Sequence, residues 1–245
     1  RPGVVGGACH SELFASLDEA SGVAMALALA SDRLAAEHRA AQGDPLAQVS
    51  DQRNWLWVQD KRAIQRSGRP YRPGLPAGLR HRLVHVSAKT TQDALFALEE
   101  GLRCRELAFV IGEVTGNAKT LDFTASRRLT LTAEKHGVPL YLVRLDAQRD
   151  LSSARMRWHV RGAASPPPRW NSQAPGMPSW HAELFRARGH IPGQWMMRDG
   201  QHGLLAERAP DNDDSTISTG GAPASATPNS VAVVRAAGNR PLAAC

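Results

Sequence analysis

Ser21-Gly22-Val23-Ala24 follows an apolar segment and begins an alanine-rich one, which is the strand, loop and helix order of a phosphate-binding loop. In a working loop, Gly-Lys-Ser/Thr supplies backbone N–H groups, an ammonium for the β- and γ-phosphates and a hydroxyl for Mg²⁺. The corresponding triplet here is Gly22, Val23 and Ala24. Valine in place of lysine removes a charge-assisted contact of roughly 1.5–3 kcal/mol, and alanine cannot hold the metal. We therefore expect neither ATP nor Mg²⁺ as a cofactor. The alternative is a plain loop before a buried helix.

Two acidic residues follow apolar runs, where an NTPase would place catalytic groups. The run Leu107–Ile111 is followed by Gly112 and Glu113, so glycine stands where a Walker-B aspartate is usual and the glutamate lies one residue late. Glu113 could reach a metal, or it could cap the edge of a sheet. Asp60 follows another apolar run and could orient an attacking water, but two basic residues come directly after it and can pair with it at the surface.

The sequence carries no other pattern typical of catalysis. It has no Gly-x-Ser-x-Gly elbow, no His-Glu-x-x-His segment and no paired-cysteine motif, and its 9 histidines are scattered. The 3 cysteines, Cys9, Cys104 and Cys245, are widely spaced, which fits neither a disulfide framework nor a zinc site. We therefore predict no catalytic residues, no bound metal and a cytoplasmic location.

A second set of residues is cationic. Arg155, Arg157 and Arg161 alternate with apolar residues, so they share one face of a predicted strand. Lys119 lies in a short loop, and Arg127 lies near the start of a predicted helix. These five side chains could line a track for phosphates, and we take them as candidate nucleic-acid contacts. The alternative is that they only fill solvated surface.

The composition is that of a globular protein. At 245 residues with 42% hydrophobic residues, the chain can form a sizeable core in one large domain or two small ones. The net charge of +7 makes nucleic acid the first partner to consider. No run of about 18 apolar residues is present, which excludes a membrane-spanning helix, and the first residues lack the pattern of a signal peptide. Residue 1 is not Met, so we expect a fragment or a processed product.

Apolar runs alternate with helical patterns over much of the chain. The runs that predict buried strands are Trp55–Val58, Leu83–Val86, Leu107–Ile111 and Leu140–Val143. Helices are predicted over Thr91–Leu102, capped by Thr90 and Asp93, and over about Phe123–His136, capped by Asp122 or Thr124 and followed by Gly137. This alternation predicts an α/β fold with a mostly parallel sheet.

Four parts are expected along the chain. Residues 1–161 form an α/β core that is incomplete at its N-terminus, and residues 162–179 form a proline-rich insertion. Residues 180–202 form a β-hairpin that completes the core sheet. Residues 203–245, which contain no aromatic residue, form a disordered tail. Within the core, Arg66–Arg82 is predicted to be a mobile or extended insertion because it is rich in proline and glycine.

Seven segments recur in the order and with the spacing of a known family. They are Asp93–Cys104, Val110–Glu113, Leu121–Leu129, Gly137–Val143, Ala154–Trp158, Trp180–Gly189 and Pro192–Trp195. Over roughly residues 5 to 200 the chain thereby resembles the ImuA family, the RecA-like component of a bacterial mutagenesis cassette.

The resemblance implies a fold and a set of sites. The fold is a RecA-like sheet of the P-loop NTPase type, flanked by helices, with a C-terminal antiparallel β extension. The remnant of the nucleotide site consists of Ser21, Gly22, Val23, Ala24, Gly112 and Glu113. The loops Thr115–Thr120 and Ala147–Ala154 take the positions of the two DNA-binding loops of RecA.

The resemblance also implies a function without catalysis. The expected role is that of an accessory protein in SOS-induced translesion DNA synthesis and mutagenesis. The expected partners are an ImuB-like inactive relative of Y-family polymerases and an error-prone DNA polymerase, with RecA and single-stranded DNA as further candidates and no membrane. Two alternatives stay open: a divergent ATPase that uses Glu113 or Asp60, and an inhibitory protein that acts on RecA filaments or on cell division.

Overall fold

The computed structural model describes residues 10–42, 52–200 and 203–209. The strands are β1 (His10–Ala15), β2 (Asn54–Asp60), β3 (Leu83–Ala88), β4 (Leu107–Thr115), β5 (Leu140–Leu145), β6 (Met156–Gly162), β7 (Ser179–Ala187), β8 (Gly193–Gly200) and β9 (Gly203–Arg208). The helices are α1 (Ser21–Gln42), α2 (Lys61–Ser67), α3 (Thr91–Arg103) and α4 (Phe123–His136), with a 3₁₀ turn at Arg72–Gly74.

The described strands form one sheet in the order β3-β2-β4-β5-β1-β6-β7-β8-β9. The six strands from β3 to β6 in this order are parallel to one another, and β7, β8 and β9 continue the sheet in antiparallel pairs. Strand β1 lies between β5 and β6, with Leu13 opposite both Val143 and Trp158. The prediction of a mixed α/β protein with a large sheet flanked by helices is therefore confirmed.

Each face of the sheet carries its own apolar core. On one face α1 packs over alternate side chains of the central strands, and the core there includes the fully buried Phe109 and Trp158 and extends to Trp55 on β2. On the other face α3 and α4 cover the intervening side chains, such as Val110 and Leu142. Because both faces of the parallel strands are buried, these strands are continuous apolar runs in the sequence.

Local capping signals explain where α3 and α4 begin and end. Thr90 Oγ1 accepts a hydrogen bond from the backbone N–H of Asp93, and the Asp93 carboxylate accepts one from the Thr90 N–H, which completes the predicted capping box. Asp122 caps α4 by accepting from the Ala125 N–H at 2.7 Å. Gly137 ends α4 in the left-handed conformation with φ 73°.

The segment Arg66–Arg82 differs from its prediction as a mobile or extended insertion. It begins inside α2 and then runs through the 3₁₀ turn. Leu75 and Leu79 are buried in the core, and the Leu79 carbonyl accepts a hydrogen bond from Trp55 Nε1 at 2.9 Å. Apolar contacts and this buried hydrogen bond therefore hold the loop against the sheet.

The C-terminal part of the sheet corrects one predicted boundary. Strands β7 and β8 pair antiparallel around the turn at residues 188–192, where the sequence predicts a hairpin. The predicted disordered tail begins at Gly203, but Gly203–Arg208 is strand β9 and pairs with β8. Leu204 is buried, which gives this strand an apolar contact to the core. Residues 210–245 of the predicted tail, and the N-terminal residues before His10, lie outside the described residues.

None of the described helices combines the length and the apolar character that crossing a membrane requires.

Candidate functional site

The loop after β1 leads into α1 at the carboxyl edge of the sheet. Gly22 lies in the first turn of α1, where a Cβ atom would be 2.8 Å from Ala15 Cβ and 2.8 Å from Val143 Cγ1. Only glycine therefore lets α1 approach β1 and β5 this closely. Ser21 is 6% exposed, and its Oγ has no hydrogen-bond partner within the described part of the chain. The glycine of the predicted loop thus has a packing reason that is independent of phosphate.

Val23 and Ala24 are partly buried and pack against the core on the α1 face. Val23 also lines a cleft that lies between the start of α1, the ends of β2 and β4, and the loop after α2. A lysine at residue 23 would present an ammonium to this cleft, but valine presents only methyl groups. The start of α1 therefore has the backbone N–H groups of a helix N-terminus but lacks the lysine ammonium of a phosphate-binding loop.

The end of β4 meets this cleft through Glu113 and not through Gly112. A Cβ atom on Gly112 would lie 2.9 Å from both Cδ atoms of Leu98 and 3.1 Å from Leu142 Cδ1, so this position faces α3. Because successive strand residues face opposite sides, Glu113 faces the α1 side. It lines the same cleft as Val23. The predicted placement of Gly112 at the nucleotide-site remnant is thereby corrected by the register of β4.

Glu113 is held by two donors from β2. Trp57 Nε1 donates to Glu113 Oε1 at 3.1 Å, and Gln59 Nε2 donates to Oε2 at 2.9 Å. Gln59 Oε1 is in turn 2.9 Å from His85 Nε2 on β3. Burial raises the pKa of the Glu113 carboxyl to about 7, although these two hydrogen bonds oppose the shift. The nearby Asp60 charge raises the pKa further.

The cleft has a volume of about 240 Å³. Its lining residues are Glu19, Ala20, Val23, Trp57, Gln59, Ser67, Gly68, Arg69, Pro70, Tyr71, Glu113 and Leu145. Two carboxyl groups and one guanidinium therefore face a mostly apolar space. This charge balance is the opposite of what a triphosphate requires, because phosphate binding depends on cations and unpaired backbone N–H groups.

Asp60 differs from both of its predicted roles. It is 4% exposed, so it is neither a surface residue nor open to a water nucleophile. Its Oδ1 accepts from the Ala63 N–H at 2.7 Å and caps α2, and its Oδ2 accepts from the Thr115 N–H at 2.9 Å. Asp60 therefore joins α2 to the end of β4 and has a structural role.

No family model matches the chain. It is similar to Protein ImuA of Caulobacter vibrioides strain NA1000 / CB15N, with 32% identity over 163 residues, which is 60% of this chain and 64% of that protein. Protein ImuA of strain ATCC 19089 / CIP 103742 / CB 15 matches to the same extent. This similarity supports membership of the ImuA family. The predicted resemblance is thus confirmed, and the chain spans about 64% of the length of these relatives.

Arg157 does not lie on the predicted phosphate track. It is 3% exposed, and its Nε donates to Glu12 Oε2 at 2.7 Å. Glu12 is fully buried and also accepts from Ser152 Oγ at 2.7 Å. The Arg157 guanidinium lies 5.1 Å from the centre of the Phe14 ring. Arg157 is a buried ion-pair partner, so the prediction that it contacts nucleic acid is wrong.

The other candidate cations lie in different places. Arg155 is half-buried, and its Nε donates to Glu134 Oε1 at 2.5 Å. Lys119, Arg127 and Arg161 are exposed. Lys119 follows β4 and Arg161 stands near the end of β6, so both lie at the carboxyl edge of the sheet, while Arg127 lies in the second turn of α4. The strand face that carries Arg157 is therefore not a continuous cationic track.

Sequence reasoning missed the polar residues that surround the two buried carboxyl groups. Gln59 and Trp57 hold Glu113, and Arg157 and Ser152 hold Glu12. The role of Gln59 could have been predicted from the sequence, because an amide at the end of an apolar strand needs a hydrogen-bond partner when it is buried. The Ser152 contact carries no such signal, because it joins residues that are far apart in the sequence.

The two predicted DNA-binding loops are in contact with each other. The backbone N–H of Gln148 donates to Asn117 Oδ1 at 2.8 Å. Among the described residues, no group of three or more His, Cys, Asp or Glu side chains is arranged to hold a metal ion. Cys104 is a free, exposed thiol, and Cys9 and Cys245 lie outside the described residues.

Proposed function

We propose that the chain is a non-catalytic, RecA-like accessory protein of SOS-induced translesion DNA synthesis and mutagenesis. In this proposal it binds an ImuB-like inactive relative of Y-family polymerases, in a cytoplasmic complex with an error-prone DNA polymerase, and it contacts single-stranded DNA. Membership of the ImuA family supports the role in damage-induced mutagenesis. The residues of the cleft beside α1 support a role without catalysis.

The topology supports a RecA-like interpretation. Strand β1 lies inside a parallel sheet and leads through a short loop into a long helix, as in P-loop proteins. The carboxyl ends of β2, β4 and β5 lie beside that loop, where open α/β sheets bind their ligands. The antiparallel strands β7 to β9 extend the sheet beyond this core.

One observation carries the proposal of a non-catalytic role. The cleft beside the loop presents Val23, Glu19 and Glu113, where a nucleotide would need a cation. A carboxylate repels a polyphosphate, and a neutral Glu113 carboxyl supplies no charge to attract one. An accessory protein can keep this fold for partner binding after the catalytic groups have changed.

Nucleotide binding gives the first test. A ligand that binds the folded state must stabilise it by mass action. Because we expect the cleft to bind no nucleotide, magnesium-ATP should leave the melting temperature unchanged. A divergent ATPase is the second candidate, since Glu113 does face the loop. An ATPase would show magnesium-dependent ATP turnover that is lost in Glu113→Ala. The control Glu207→Ala, at the exposed end of the sheet, would keep that turnover. This pair of results would favour the ATPase over our proposal.

Partner binding gives the second test. We expect the purified chain to co-purify with the ImuB-like partner and to bind single-stranded DNA at about 50 mM salt, where phosphate contacts are strong. Substituting Lys119 and Arg161 by alanine should weaken DNA binding irrespective of sequence and reduce the slope of log K against log salt by about 0.7 for each phosphate that is no longer neutralised. Binding to neither the partner nor DNA would contradict the proposal.

A further inference from the structure

Glu113 is a buried carboxyl group without a cationic partner among the described residues. It is 2% exposed, and it makes no ion pair within the part of the chain that the structure describes. Both of its oxygens accept hydrogen bonds from neutral donors, Trp57 and Gln59. A buried carboxylate is costly unless a cation compensates its charge. A cation supplied from outside the chain would therefore gain a strong electrostatic interaction with this group.

The cleft has the size of a side-chain pocket. Its volume of about 240 Å³ lies below the roughly 300–1,000 Å³ of pockets that enclose whole small-molecule ligands. Trp57 and the 75% exposed Tyr71 supply aromatic surface, and Val23 and Leu145 supply aliphatic surface. These walls suit the aliphatic stem and planar head of a long cationic side chain.

The charged groups around Glu113 come from several elements. Glu19 lines the cleft from the loop before α1, and its Oε2 accepts from the Gly162 N–H at 2.9 Å. Arg69 lines it from the loop after α2. Asp60 lies on the same strand as Gln59, and His85 contacts Gln59 from β3. Two carboxyl groups against one guanidinium leave the cleft itself acidic once Glu113 is ionised.

We propose that this cleft binds the guanidinium group of an arginine side chain from a protein partner. The inference rests on the proposed accessory function, in which no nucleotide occupies the cleft. An arginine fork can donate two hydrogen bonds to one carboxylate and stack on an aromatic ring at the same time. Buried arginine contacts of this kind are enriched among the residues that dominate protein interfaces.

Binding must be coupled to the release of a proton. The neutral Glu113 carboxyl gives its proton to solvent, and the resulting carboxylate pairs with the guanidinium. Because burial raises the pKa of Glu113 to about 7, the binding-competent carboxylate is a minor form in acid. The affinity should therefore rise by about tenfold per pH unit below about pH 7 and level off above it.

The Trp57 indole offers a reporter inside the site, because its Nε1–H donates to Glu113. The experiment titrates N-acetyl-arginine methylamide into the isotope-labelled chain and follows the Trp57 indole signal by NMR, with that signal assigned from Trp57→Phe. We expect a saturable shift that tightens with pH. The norleucine analogue, which keeps the aliphatic stem without the charge, should give no such shift.

Two variants separate the carboxyl from general charge effects. Glu113→Gln keeps the size and removes the charge, so we expect at least a tenfold loss of affinity and no pH dependence. Glu207→Gln, at a side chain that is 68% exposed, should behave like the unaltered chain. If Glu113→Gln fails to fold, the pH profile of the unaltered chain still decides, since an affinity that is independent of pH overturns the inference.

The outcomes also separate this inference from the proposed function. No shift at any pH, or an equal shift with the norleucine analogue, overturns the arginine pocket and leaves the accessory role standing. A shift of the same indole signal by magnesium-ATP, together with turnover, overturns the accessory role itself. A saturable shift by the arginine derivative alone supports both.

Discussion

Replacing Glu113 by glutamine should change how the stability of the protein depends on pH. The carboxyl has an ordinary pKa of 4.5 and a folded-state pKa of about 7, because it is buried. Between these values the folded state retains a proton that the unfolded state has released. The Glu113 contribution to the free energy of unfolding therefore falls as the pH rises, and it levels off once the folded group has ionised.

The size of the effect follows from the two pKa values. A shift from 4.5 to about 7 lowers the free energy of unfolding by about 2–3 kcal/mol between about pH 5 and about pH 8.5. His10 acts in the opposite direction at lower pH, because complete burial lowers its pKa to about 4. Glu113→Gln leaves His10 unchanged, so the difference between the two proteins isolates the carboxyl.

Urea unfolding at several pH values measures this difference through the fluorescence of the 6 tryptophans. We expect the stability of the unaltered protein, relative to Glu113→Gln, to decline from about pH 5 to about pH 8.5 by the amount given above. Glu207→Gln, at an exposed side chain, should follow the unaltered protein. Parallel pH profiles for Glu113→Gln and the unaltered protein would refute the argument that burial keeps Glu113 neutral in the folded state.

Four further substitutions test the packing and the charges. Gly22→Ala should lower the free energy of unfolding by about 1–3 kcal/mol in urea melts, because the added Cβ overlaps β1 and β5. This loss should outweigh the higher helix propensity of alanine. An unchanged urea midpoint would contradict the close contact at Gly22. Arg157→Ala should cost about 1.5–3 kcal/mol because it removes the charge-assisted hydrogen bond to buried Glu12 and leaves only the Arg144 guanidinium, 3.9 Å away, as its cation among the described residues. Arg161→Ala should stay within about 0.5 kcal/mol in the same melts, and equal losses would refute the assignment of Arg157 as buried and Arg161 as surface. Asp60→Ala should cost about 1–2 kcal/mol and increase hydrogen exchange in α2, and unchanged exchange there would show that the cap is dispensable.

The elements that the sequence predicts well have strong local signals. Helix α4 begins after Asp122 and ends before Gly137, and each of these residues makes its capping contact within a few positions. The core strands contain uninterrupted apolar runs because both of their faces are buried. The loop Arg66–Arg82 has no such pattern, and the burial of Leu75 and Leu79 depends on contacts with a strand that lies earlier in the chain.

The candidate site was predictable in its residue types but not in its geometry. The loss of lysine at Val23 can be seen in the sequence. The sequence does not show which face of the sheet Gly112 and Glu113 lie on, because this depends on how β4 is placed between α3 and α1. Arg157 looks like a surface cation because its strand alternates, yet its partner Glu12 lies 145 residues away. A local pattern contains no information about such a partner.

The position of β1 in the sheet also affects how the chain can fold. Its neighbours are β5 and β6, so residues 10–15 have no strand to pair with until residues 140–159 have been made. During synthesis, β1 and the apolar face of α1 therefore stay unpacked until most strands of the sheet have been made. Contacts of such large sequence separation slow folding and expose unpaired strand edges to other chains. Within the described chain, β1 is therefore made early but paired late, so its unpaired edges are exposed to aggregation for a long time during synthesis.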